Sequence, residues 1–197
     1  MLEMAVLGLL NESPMHGYEL RKRLSTLLGG LRAFSYGSLY PTLRRLAEAG
    51  WITEEEPLDA TEAGTRSRRG KRVYQLTADG KEHFAGLLAQ VGPDAFDEEG
   101  FGARLAFFAQ TRSDIRLQVL EGRRRRVEEQ REGMRTSLAR AGERLDRYTR
   151  QLHEHGLESS EREVRWLTEL IEAERTSANP AQRTSANPAE RSNTTAH

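Results

Sequence analysis

The sequence predicts a mainly α-helical chain with a small two-stranded wing, followed by a long helical arm. Three observations predict it. Apolar residues return every three or four positions through most of the first 90 residues. Two short β-like runs, "WITEEE" from Trp51 and "RVYQLT" from Arg72, interrupt that helical period once. An apolar seam then resumes at Leu117 and continues for more than 30 residues.

Leu2, Val6, Leu9 and Leu10 give the first helix one apolar stripe. Ser13 and Pro14 read as an N-cap and a first-turn proline, so a second helix is expected to open near His16, Gly17 and Tyr18. Its buried side is Leu20, Leu24, Leu27 and Leu28, and Gly29-Gly30 ends it. A third helix over about 37–49 turns Leu39, Leu43 and Leu46 inward and stops at Gly50, a residue type common just past a helix end. The two β-like runs follow, separated by a polar, glycine-containing stretch too long for a tight hairpin. Thr77 caps a fourth helix bearing Phe84, Leu87, Leu88 and Val91, which Gly92-Pro93 stops before the acidic "DAFDEEG". Three helices, a ribbon with a long basic tip and a further helix are the winged helix-turn-helix order. That order also occurs in domains that contact protein rather than DNA, so the pattern alone leaves both functions open.

The predicted organisation is a winged helix-turn-helix domain over 1–92, a helical dimerisation and effector region over 93–175, and a disordered tail over 176–197. In the arm, Leu117, Leu120, Val127, Met134, Leu138, Ala141, Leu145, Tyr148 and Leu152 follow a period near 3.5, the mark of coiled-coil packing. Arg124 and Arg131 fall on that seam inside the charged "GRRRRVEEQRE", which makes a poor isolated coil and predicts packing against a second protomer. Gly156 is expected to end this helix. Ser160 with Glu163 resembles a capping box opening a shorter one, with Val164, Leu167, Leu170 and Ile171 folding back. The tail repeats an eight-residue unit, "RTSANPAQRTSANPAER", without a large apolar side chain, and cannot bury enough surface to offset the entropy of ordering.

Over 197 residues, Lys and Arg total 30 and Asp and Glu total 30, so any electrostatic argument rests on where charges sit. The absence of cysteine excludes disulfides, thiolate catalysis and cysteine-ligated zinc. No window is apolar enough to span a membrane, and the acidic start does not resemble a signal peptide, so a cytoplasmic protein is expected. An enzyme is not expected: His153 and His155 are two apart on a helix, and no phosphate loop or Ser-His-Asp arrangement can be assembled. Neither a metal nor a cofactor is implied.

The chemistry concentrates in "YGSLYPTLRRLAEAGWI", residues 36–52. With the leucines inward, Tyr40, Pro41, Arg44, Arg45 and Glu48 share the opposite arc. A cap at Ser38 places Pro41 in the first turn; a cap at Ser35, ahead of Tyr36, places it deeper. Tyr40 and Thr42 carry hydroxyls for phosphate or base edges. Arg44 or Arg45 is a candidate for a bidentate contact to guanine, worth about 1–3 kcal/mol of discrimination. The basic tip "GTRSRRGKR" brings Arg66, Arg68, Arg69, Lys71 and Arg72 without an acid among them, suited to phosphate or minor-groove contacts, while Glu54, Glu55 and Glu56 on the adjoining strand make the patch directional.

Three stretches, "LGLLNESPMHGYEL" from Leu7, "YGSLYPTLRRLAEAGWI" from Tyr36 and "RRGKRVYQLTADGKE" ending at Glu82, together resemble the PadR family of bacterial transcriptional regulators. "FGARLAFFAQ" from Phe101 and the long helix after it are similar, more loosely, to the C-terminal region of that family's longer subgroup. The resemblance implies a homodimer with a winged helix on each protomer, binding double-stranded DNA, in most cases a repressor, and commonly released by a small-molecule ligand. It places Tyr18 at the DNA backbone or behind the third helix. Phe96, Phe101, Phe107, Phe108, Tyr148 and Trp166, with Arg104, are the candidate lining of an effector pocket, or core. A dimer held through 114–174 would match half-sites about 34–36 Å apart. The competing expectation is a winged helix whose basic tip binds an acidic protein. With about four phosphate contacts per protomer, a DNA-binding dimer should lose log affinity against log salt with a slope near −7; a slope near zero in a DNA titration would contradict the electrostatic part.

Overall fold

A computed structural model describes residues 1–28, 36–55, 72–141 and 145–178, excepting the side chains of Leu28 and Tyr36. The expectations for Gly29-Gly30, Ser35, the side chain of Tyr36, Arg66, Arg68, Arg69 and Lys71 lie outside the described residues, as does the tail beyond Ala178. The described chain forms two compact units, Met1–Thr111 and Arg112–His197.

The first unit contains helices α1 (Leu2–Glu12), α2 (Gly17–Leu28), α3 (Tyr36–Glu48), α4 (Ala78–Ala89) and α5 (Glu98–Leu105), with strands β1 (Met15–His16), β2 (Ile52–Glu55) and β3 (Val73–Leu76). Every residue of α1 from Met4 to Leu10 is buried, so this helix is apolar all round and the others assemble about it. Leu20 and Leu24 of α2, Leu39, Leu43 and Leu46 of α3, and Phe84 and Leu88 of α4 join the same core, as the stripes predict; Leu27 is exposed.

Two local expectations are corrected. Ser13 is the C-cap of α1, with extended φ −165° and its N–H bonded to the Leu9 carbonyl, rather than the N-cap of α2. The chain stays extended through Pro14 because Met15 and His16 pair with Tyr74 and Val73 of β3. The ribbon is therefore a three-stranded antiparallel sheet in the order β1-β3-β2, and α2 opens at Gly17. Likewise α3 starts at Tyr36, earlier than a Ser38 cap requires, so Pro41 lies inside the helix. The carbonyl that loses its amide donor there belongs to Gly37, which is exposed and open to water.

The ends of α3 and α4 follow the sequence signals. Gly50 has φ 76°, and the amides of Gly50 and Trp51 return to the carbonyls of Ala47 and Leu46 at 3.0 Å each, a complete Schellman closure. Thr77 accepts from the Gly80 amide at 2.9 Å as N-cap of α4 and donates its hydroxyl to the Gly50 carbonyl at 2.7 Å, tying the start of one helix to the end of the other.

The compact first unit extends to Thr111, beyond the boundary expected at 92–93. Phe107 is fully buried against α1 and meets Phe84 edge-on at 5.9 Å. Arg104 donates to the carbonyls of Leu88 and Gln90, capping the C-terminal end of α4, and Asn11 donates to Gln110. These tertiary contacts carry no local pattern.

The second unit is an antiparallel hairpin of α6 (Ser113–Ala141) and α7 (Arg147–Ala178). The seam expected to run unbroken to Leu152 turns back after Ala141. Asp146 accepts from the amides of Tyr148 and Thr149 and so starts α7. Gly156 does not end a helix: it lies within α7, where a Cβ would stand 3.2 Å from the sulfur of Met134, so its missing side chain permits close approach to α6. Ser160 and Glu163 form no capping box; the Ser160 hydroxyl donates to the Gly156 carbonyl, and Glu163 pairs with Arg123 at 2.7 Å. Arg123, rather than Arg124 or Arg131 on the expected seam, is the buried arginine, so its pair with Glu163 sets register: removing one member strands the other's charge. Arg116–Glu174 at 2.8 Å and Glu121–Arg175 at 2.6 Å continue the ladder. Thr176, Ser177 and Ala178, expected in the disordered tail, extend α7.

A Cβ at Gly8 would stand 2.3 Å from the buried Phe107 ring, so Gly8→Ala should destabilise the first unit by about 1–3 kcal/mol. Chemical denaturation measures this, and Phe107→Leu in the same chain should recover part of the loss.

Candidate nucleic-acid interface

At about 100° per residue, the exposed arc of α3 has two edges. Tyr40 and Arg44 lie on one, with Glu48 beyond them; Arg45 lies on the other. Pro41 is exposed between them, whereas Ser38 and Thr42 are half-buried toward the core.

On the first edge, Tyr40 leans over the start of α2. A Cβ at Gly17 would stand 3.7 Å from the Tyr40 ring and 3.3 Å from the ring of Tyr74. Glycine at this buried position admits both rings; Tyr18, next in sequence, is 65% exposed and Tyr40 48%. Burial, then the charge of Glu54 paired opposite on β2, pushes the Tyr74 hydroxyl up, so it remains protonated at neutral pH. Arg44 is exposed and makes no ion pair among the described residues. On α2, Lys22 and Arg21 are exposed, while Arg23 is held by Glu19 at 2.8 Å and Glu12 at 3.7 Å. Arg72, at the base of the wing, pairs with Glu54.

The second edge is different. Arg45 reaches back to Glu3 of α1 at 2.7 Å, and the other Glu3 oxygen meets His83 Nε2 of α4 at 2.7 Å. The His83 ring stacks on Trp51, centroids 3.5 Å apart and planes 11° from parallel. Burial alone raises the Glu3 carboxyl, but hydrogen bonds from His83 and Arg45, with the Arg45 charge, outweigh it and leave the group below its ordinary value. The two adjacent arginines, equivalent in sequence reading, are thus separated by structure. Glu3 and His83 drew no attention as functional residues because their partners stand 42 and 80 residues away or in another helix.

Other expected site residues scatter. Phe101 and Phe107 are core, and Arg104 is committed to the carbonyls of α4, while Phe108 is half-buried. In the second unit, Leu120, Val127 and Leu167 are buried, Leu117, Met134, Leu138, Leu145 and Leu170 are half-buried, and Tyr148, Leu152 and Trp166 are exposed. Among the described residues there is no metal-binding cluster and no helix long and apolar enough to cross a membrane.

Residues 6–86 match the family described as the transcriptional regulator PadR-like family. Among curated proteins, the chain is 28% identical over 92 residues to the negative transcriptional regulator PadR of Bacillus subtilis (strain 168); the match covers 47% of each, about half the length of that relative. Among solved structures, it is similar to Bacillus subtilis PadR in complex with operator DNA, at 20% identity over 88% of this chain and 98% of that one with a TM-score of 0.42. The same protein in complex with p-coumaric acid is 19% identical over 88% and 98%, with a TM-score of 0.39.

Because the Glu3 carboxyl is depressed in the folded state, its contribution to stability is complete above the unfolded carboxyl value of about 4.3 and is lost as pH falls through the folded value. The Tm of the wild type should therefore fall more steeply below about pH 5 than that of Glu3→Gln. Identical acid limbs in a thermal-melt series would contradict it.

Proposed function

Because residues 6–86 match the PadR-like family of transcriptional regulators, we propose that the chain is a homodimeric repressor that reads a palindromic operator with α3. The observation that carries this reading is the exposed Tyr40–Arg44 edge of α3, whose Tyr40 ring lies over the start of α2 at Gly17. Arg44 is the base reader, with donors in the fork geometry that matches the two acceptors of guanine. Tyr18, Tyr40 and Lys22 supply backbone contacts that fix register. Ser38, Pro41 and Thr42 of α3, Ser35 and Tyr36 next to them in sequence, and the basic run Arg66, Arg68, Arg69 and Lys71 add further DNA contacts in this reading. Repression follows the negative regulation named for the Bacillus subtilis relative.

The dimer is proposed to form through the second unit. Its hairpin consumes Leu120, Val127 and Leu167 internally and leaves Tyr148 at 78% and Leu152 at 70% exposure, four residues apart on one face of α7. Release by a small-molecule effector stays part of the proposal, although Phe101 and Phe107 serve the core and Arg104 caps α4.

The test uses the duplex that the wild-type protein selects from a randomised pool. Arg44→Ala removes one guanine contact from each protomer and should lower affinity of the dimer for it by roughly 30-fold or more, and Arg44→Lys should not restore it. Tyr148→Glu with Leu152→Glu should give a monomer by light scattering and weaken binding to the full palindrome more than to a half-site. Undiminished specific binding by Arg44→Ala contradicts the assignment.

A further inference from the structure

We propose that Glu3 is a positioning residue for DNA recognition: it draws Arg45 away from the groove and leaves Arg44 as the single reading arginine of α3. The inference rests on the DNA-reading role of α3 proposed above and goes beyond it, because it assigns opposite effects to two neighbouring arginines and places the control of one in another helix.

Arg44 and Arg45 stand about 100° apart on the helix, at opposite edges of its exposed arc. A guanidinium on either flexible stem can reach DNA, and a second unpaired arginine adds affinity for any phosphate, which carries no sequence information. Glu3 removes that option. Its carboxylate is 18% exposed, and its two oxygens are divided between Arg45 and His83 at 2.7 Å each. Neither oxygen is left wholly to water, so the charge depends on Arg45 for compensation.

The anchor itself is firmly held. Trp51, stacked on His83, donates its amide to Leu46 of α3 and accepts from the Thr77 amide through its carbonyl. That carbonyl would lie 2.0 Å from a Cβ on Gly80, so α4 meets the chain after α3 at backbone contact. Glu3 therefore joins α1, the end of α3 and the start of α4 at one point. The carboxylate that receives Arg45 cannot follow it toward solvent without leaving His83.

The experiment compares Glu3→Gln, Arg45→Ala, their combination and Arg44→Ala on two probes: the duplex selected by the wild type and a random-sequence duplex of equal length. Glu3→Gln releases Arg45, so affinity for the random duplex should rise, the preference for the selected duplex should fall at least threefold, and the salt slope should steepen by about 1.8 per dimer, about 0.9 for each added phosphate contact. Arg45→Ala should keep specific affinity within about twofold of wild type, and the double variant should match it. Thermal melts, and Trp51 fluorescence in a Trp166→Phe background, verify that each variant is folded and report on the cluster. A general loss of structure lowers binding to both probes and cannot mimic a gain on random DNA. The proposal is overturned if Arg45→Ala loses specific affinity as Arg44→Ala does, or if Glu3→Gln leaves the random-duplex affinity and salt slope unchanged. A wild type indifferent to sequence overturns the DNA-reading role itself, and is thereby distinguished from failure of the Glu3 assignment alone.

Discussion

The first unit depends on the complete burial of α1. Seven consecutive residues, Met4 to Leu10, are removed from water, which requires apolar neighbours on every side of one helix. The leucines of α2 and α3, the Phe84 face of α4 and the ring of Phe107 supply them. Once Leu39, Leu43 and Leu46 are committed to that core, the remaining arc of α3 has no alternative but to face outward, with its tyrosine and arginines in place. Exposure of the Tyr40–Arg44 edge is thus a consequence of packing behind it. The polar anchor between Glu3, Arg45 and His83 lies at the end of the same helix, where α1 first meets solvent.

Charge acts through placement. The chain is neutral overall, and several arginines are committed to acids: Arg23 to Glu19 and Glu12, Arg72 to Glu54, Arg45 to Glu3, and Arg116, Arg123 and Arg175 across the helical hairpin. The exposed pairs among these add little stability, about 0–1 kcal/mol each, but they bear on which cations are available to a polyanion. Arg44, exposed and in no ion pair among the described residues, is one of the cations left available.

Much of the fold was legible because its signals are local. The leucine stripes, the Gly50 stop and the Thr77 cap each lie within a few residues of what they control. The unread parts depend on distant partners. β1 is only two residues long and exists because Tyr74 and Val73 pair with it 57 to 59 residues later. The first unit continues past Gly92 because Gly8 leaves room for Phe107. In the second unit, Leu138, Ala141, Leu145, Tyr148 and Leu152 keep a helical period through the turn, so periodicity concealed it; the stronger clue was Asp146 as an N-cap. Gly156 misled for the complementary reason, since its lack of a side chain serves a helix crossing. At the candidate site, the exposed arc of α3 was visible, but the division of Arg44 from Arg45 required Glu3, 42 residues away.

The central claim is that α2 and α3 present the reading surface while the hairpin joins protomers. Hydrogen exchange with and without the selected duplex tests this most directly, since backbone amides report burial by a ligand without any substitution. The account predicts DNA-dependent protection over residues 17–23 and 36–48, with α6 and α7 equally protected in both states. Protection confined to the hairpin, with α3 unchanged, would contradict it.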